Sequence, residues 1–91
     1  MDKKWKVSDE VLSSKIDEEV ILMSIEAGYY FGLDPVGSNI WELLSKQPAS
    51  VDELVFSMME EYEVDEDTCR KDVQAFINDM SGRKLIIQVV K

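Results

Sequence analysis

The stretch YYFGLDPVGSNIW, residues 29–41, leaves the chain few ways to fold. Tyr29, Tyr30, Phe31 and Leu33 favour a short strand around Gly32. Asp34 and Pro35 then end it. The Asp34 carboxylate suits the cap of a first helical turn, and Pro35 suits the first helical position, where no N–H is needed. Val36, Ile40, Leu43 and Leu44 recur at helical spacing beside Trp41, so a helix follows at once and ends near Lys46, before Pro48. A strand that runs into a helix without a linker must lie against that helix's N-terminus.

The flanking sequence fills in the elements on either side. Strand character begins at Val11. Val20 to Ile25 is apolar at all but one position, which suits the middle strand of a small meander. Glu26-Ala27-Gly28 supplies a turn with a glycine for positive φ, and Tyr29 to Leu33 returns as the third strand. After the first helix, Ser50 and Glu53 have capping-box spacing, placing a second helix from Val51 with Leu54, Val55, Met58, Met59 and Tyr62 on its apolar face. Both methionines are read as core filler. Asp65 caps a third helix whose stripe is Cys69, Val73, Phe76, Ile77 and Met80, with Gly82 as its left-handed stop. Leu85 to Val90 either extends along the helices or forms a short strand. The expected fold is α+β: a three-stranded antiparallel sheet followed by three helices, in one domain over residues 1–91 with a flexible tail over about residues 1–6.

Composition restricts what such a domain can do. At 91 residues there is apolar area for one core. The sequence has no histidine and one cysteine, Cys69, which lies on an apolar stripe and reads as a buried, inert thiol. No paired cysteines, Gly-rich phosphate loop or nucleophile beside a base is present, so no catalytic residue, metal site or cofactor is expected. A formal charge of −9 opposes a nucleic-acid partner. The basic cluster of Lys3, Lys4 and Lys6 falls in the expected tail. No apolar run spans a bilayer and no secretory signal precedes the domain, so a cytoplasmic protein without a membrane partner is expected.

In a meander the third strand lies at an edge. Residues 29–33 carry neither lysine nor proline, the usual protections of an edge, so this strand is open to an added one. Gly32 either lets a second backbone approach or, within the fold itself, relieves crowding beside Trp41 or marks a bulge. An open edge also invites a second copy of the chain, so a homodimer is a further expectation.

The run YYFGLDPVGSNIWELL, then PASVDELVFSMMEEYEVD and CRKDVQAFINDM, resembles the PqqD-like family, the small RiPP recognition elements, and within it the stand-alone members of lasso-peptide maturation. The resemblance covers about Ile16 to Leu85. It implies a winged-helix-like fold and a non-catalytic role: binding the leader segment of a ribosomally made precursor peptide and presenting it to a leader peptidase or a radical SAM enzyme. It also implies that the leader adds as an antiparallel strand to the third strand, in a groove walled by the third helix. Carried onto this chain, the strand side is Tyr29, Tyr30, Phe31, Gly32 and Leu33. On the helix, Asp72, Ala75 and Asp79 flank one side of the apolar stripe beside Phe76, and Arg70 and Gln74 flank the other; the Asp72 side is the expected wall.

Two other functions compete. A DNA-binding winged helix would read the major groove with its third helix, but Glu66, Asp67, Asp72 and Asp79 offset Arg70 and Lys71 there. A phosphopantetheine carrier would need an Asp-Ser-Leu attachment motif, whereas Ser38 lies between Gly37 and Asn39. Another kind of protein–protein adaptor remains an alternative.

Overall fold

The computed structural model describes residues 3–26 and 28–89. Their order is β1 (Lys4–Val7), β2 (Val11–Ile16), β3 (Glu19–Ser24), β4 (Tyr29–Gly32), α1 (Pro35–Lys46), β5 (Ala49–Ser50), α2 (Val51–Glu61), α3 (Glu66–Gly82) and β6 (Ile86–Gln88). The fold is α+β, with two antiparallel sheets where the sequence suggested one: β2-β3-β4 and β5-β1-β6.

The meander forms in the expected order. Asp17, at φ 59°, turns β2 into β3, and Gly28, at φ 71°, turns β3 into β4. Ala27 of that second turn lies outside the described residues. Pairing is continuous, with Leu22 opposite both Ser13 and Phe31. Side chains alternate across the pleat, so Val20 and Leu22 are buried against the helices while Ile21 and Met23 face the other way.

The expected tail is corrected by the second sheet. Lys4 to Val7 is its central strand, paired with β5 through Trp5 and Ala49 and with β6 through Val7 and Ile86. Trp5 and Val7 pack against the core, while Lys4 reaches Glu53 at 3.2 Å. This alternation of lysine and apolar residues is that of a half-buried strand. The last apolar segment resolves into β6, with Val90 outside the described residues.

The helix caps are formed as the sequence indicates. Asp34 accepts from Gly37 N at 2.6 Å, Asp65 from Thr68 N at 3.2 Å, and Ser50 and Glu53 exchange bonds of 3.1 and 2.9 Å. Gly82 is not the left-handed stop. It remains helical, Arg83 caps α3, and Lys84 takes the left-handed conformation at φ 62°. Leu85 N then donates to Met80 O at 2.9 Å, which closes the helix end without a glycine. Met59 also departs from expectation: Met58 is buried and Met59 is exposed. The core joins the inner face of the meander to all three helices through Leu22, Ile40, Leu44, Leu54, Ile77 and Leu85.

Candidate functional site

β4 lies at the edge of its sheet, bonded to β3 on one side only. Leu33 N donates to Val20 O at 2.9 Å. In an antiparallel ladder the bonded pairs alternate, so Leu33, Phe31 and Tyr29 turn their backbone groups toward β3. The amides and carbonyls of Tyr30 and Gly32 therefore point outward. Side chains divide by the same alternation. Leu33 is buried and Tyr29 and Phe31 are half-buried on the helix side, while Tyr30 stands exposed on the opposite face.

Gly32 does not relieve crowding beside Trp41, and it does not mark a bulge. A Cβ there would meet only the Ile21 Cδ1 at 3.5 Å, an ordinary contact, and the register runs through Gly32 opposite Ile21 without interruption. Its φ is not in the left-handed region. Nothing among the described residues demands a glycine at this position.

The joint after β4 is held by three residues. Ser38, buried on the first turn of α1, accepts from Val20 N at 2.8 Å and donates to Leu33 O at 3.3 Å. One hydroxyl thus ties the start of β3 and the end of β4 to the helix. Gly37 is the glycine with a packing reason: a Cβ there would lie 3.0 Å from the Asp34 carboxylate and 3.3 Å from the Phe76 ring. Phe76 therefore packs on the backbone of α1, which brings α3 alongside the end of the strand.

Farther along α3, the Arg83 guanidinium sits 4.4 Å from the centre of the Phe31 ring and donates to Asp79 at 3.0 Å. Tyr29, first, and Asp79, second, hold the Arg83 pKa above its ordinary value. The two ends of β4 are thus linked to α3 by different means: Tyr29 and Phe31 through Arg83, and the Leu33 end through Gly37 and Phe76. Asp72 borders a cavity of about 80 Å³ with Val36, Met58, Tyr62, Val64, Cys69 and Val73. Ala75 is exposed on the outer side of α3. Arg70 and Gln74 belong elsewhere. They line an open cleft with Trp5, Val51 and Asn78, and Arg70 is paired with Asp52 and Glu66.

Sequence reasoning missed Arg83, whose signal was the four-residue spacing from Asp79. It also missed Val36, Tyr62 and Val64 as a cavity wall, since Val36 lies in the first turn of α1 and the other two at the end of α2 and just after it.

β2 is the other edge of this sheet. Its Lys15 is tied to Glu42 of α1 at 3.1 Å, the type of charged side chain that protects an edge from pairing. Among the described residues no three His, Cys, Asp or Glu side chains cluster as metal ligands, and burial first, then the charge of Asp72, push the Cys69 pKa up. The larger clefts, about 360 Å³ between α1 and α2 and about 520 Å³ beside β1, are open and lie away from β4. Strand addition needs an edge, not a cavity. No described helix is long and apolar enough to cross a membrane.

The chain resembles two solved structures over nearly its whole length. One is TbiB1 in complex with the TbiA(beta) leader peptide, at 38% identity and TM-score 0.85, covering 94% of this chain and 99% of that one. The other is a lasso peptide synthetase B1 complexed with the leader peptide, with TM-score 0.79 over 91% of this chain and 96% of that one; at 18% identity it shows the fold alone. No curated protein matches the chain. Residues 19–86, from the start of β3 to the start of β6, match the family of coenzyme PQQ synthesis protein D, so the chain belongs to the PqqD family.

Proposed function

We propose that this protein binds the leader segment of a ribosomally made precursor peptide, as an antiparallel strand added to β4, and delivers it to a processing or modifying enzyme without performing catalysis itself. The observation that carries this reading is the unguarded edge: the outward N–H and C=O of Tyr30 and Gly32 lie on a strand whose inner side chains are braced by α3. The leader held by TbiB1, 38% identical to this chain, supports a peptide ligand.

An added strand satisfies those four groups with bonds worth about 0.5–1.5 kcal/mol each. That gain alone does not offset the ordering of a flexible leader, so apolar anchors must contribute. The cavity of about 80 Å³ beside Asp72 has the size and lining for one small apolar side chain, whose burial adds about 1.5–3 kcal/mol. Asp72 at its rim favours a basic leader residue nearby, whereas Asp79 farther along α3 is already paired with Arg83. The same carboxylates, with Glu66 and Asp67 at the α3 N-terminus, oppose a DNA backbone.

Fluorescence anisotropy of a labelled leader half of the precursor, with the core half as control, tests this function. Saturable binding of the leader alone is expected. Equal binding of both halves, or of neither by the folded protein, overturns it.

A further inference from the structure

The cavity beside Asp72 has one wall that is held by a hydrogen bond instead of by packing. Its floor is core: Met58 of α2 and Cys69 and Val73 of α3 are buried. Val36 and Val64 are β-branched, with little rotamer freedom. Tyr62 differs. It stands at the C-cap of α2, 38% exposed, where a long side chain changes rotamer readily unless its far end is tied. Asn39 of α1 ties it. The Asn39 amide donates to the Tyr62 hydroxyl oxygen at 2.9 Å and to the Glu61 carboxylate at 2.8 Å. Two acceptors on one NH2 group fix the amide's orientation, because turning it over would set the Asn39 Oδ1 against the carboxylate. Asn39 lies one turn beyond Val36, so a single face of α1 supplies one wall of the cavity and the tie that holds another.

We propose that Asn39 is a positioning residue that sets which leader side chain this cavity admits: by holding the Tyr62 ring in place it lets small apolar groups such as valine or proline enter and rejects aromatic ones. The proposal rests on the leader-binding reading. Size carries the selection. At about 80 Å³ the cavity has room for about three carbon-sized groups, each taken as roughly the 30 Å³ share of a water molecule. A valine side chain matches that number, and a phenylalanine side chain exceeds it about twofold. Admitting the larger group requires a wall to yield, since overfilling a packed site forces its neighbours off their rotamers. Tyr62 is the wall that yields without unpacking the core. With the amide bond in place the ring stays; without it the ring turns outward and the cavity opens into a wider groove. Asn39 acts only through Tyr62, not by contact with the leader.

The test titrates leader peptides that carry valine or phenylalanine at each apolar position in turn, by fluorescence anisotropy against the full chain. At one position the parent should bind the valine leader about tenfold or more tightly than the phenylalanine leader. Asn39→Ala should cut that preference to about twofold, mainly by tightening the phenylalanine leader. Tyr62→Phe keeps the ring, removes only the hydroxyl, and should do the same. The double variant should match either single one, because each removes the same contact. The tie lies at the surface, so all three variants should melt within about 4 °C of the parent. A parent with no such preference at any position overturns the proposal, as does a preference unchanged in either single variant. Equal weakening of both leaders, the mark of a merely structural role, overturns it as well. A parent that binds no leader would instead overturn the reading on which the proposal rests.

Discussion

Replacing Gly32 with proline separates the outward edge of β4 from the inward one. The register places the Gly32 N–H on the open side, so proline removes no bond to β3. Phe31 before it is already extended, as a residue preceding proline prefers, and a Cβ at this position meets Ile21 at an ordinary 3.5 Å. Stability should therefore change by no more than about 1 kcal/mol. Leader binding should respond differently. The substitution deletes one donor, worth about 1 kcal/mol net, and leaves a leader carbonyl facing the ring unpaired, at about 1–3 kcal/mol. The sum, about 2–4 kcal/mol, corresponds to a Kd raised roughly thirtyfold to a thousandfold. Anisotropy titrations paired with thermal melts measure both quantities, and Phe31→Pro, which breaks a bond inside the sheet, is the control that should lower Tm markedly. A folded Gly32→Pro protein that binds leader within about threefold of the parent would refute the claim that this amide pairs with the leader. A loss of stability equal to that of Phe31→Pro would refute the register argument instead.

Three further outcomes follow from the fold. Ser38→Ala should lower stability by about 1–3 kcal/mol in chemical denaturation, because the Val20 N–H loses its buried acceptor; an unchanged midpoint would show that the hydroxyl does not join the strands to α1. Trp5→Ala should destabilise by about 2 kcal/mol, since Trp5 packs on the core from a central strand, whereas a residue in a flexible tail would have no effect on the melt. The Glu53 carboxylate is held below its ordinary 4.5 by the Ser50 amide first and Lys4 next, so its stabilisation is complete above pH 4.5 and is lost as pH falls through the lower folded value. Glu53→Gln should accordingly flatten the acid limb of a stability-versus-pH curve; an unchanged slope would remove Glu53 from the acid response.

Local chemistry made much of this architecture readable. Asp34-Pro35, Ser50 with Glu53, and Asp65 each announce a helix start through groups that must satisfy free N–H donors, and all three caps form. The meander was legible because its strands are neighbours in the chain. The second sheet was not, because β1 pairs with residues more than forty positions away, and a two-residue partner such as Ala49-Ser50 carries no periodicity. The left-handed residue at the end of α3 was misplaced for a related reason. Glycine is the usual choice, but here the helix continues through Gly82 and the turn is closed by Leu85 bonding back to Met80, which leaves Lys84 in that conformation. At the candidate site, the edge strand followed from order alone. Arg83 over Phe31 required knowing where α3 ends in space.

Amide hydrogen exchange resolved to single residues, with and without leader peptide, tests strand addition most directly. In the free protein the Tyr30 and Gly32 amides should exchange rapidly while Phe31 and Leu33, bonded to β3, are protected. Saturating leader should slow exchange at Tyr30 and Gly32 and leave Val11, Ser13 and Lys15 on the opposite edge unchanged. Protection that appears on β2 instead, or no change at Tyr30 and Gly32 with leader bound, would contradict the account.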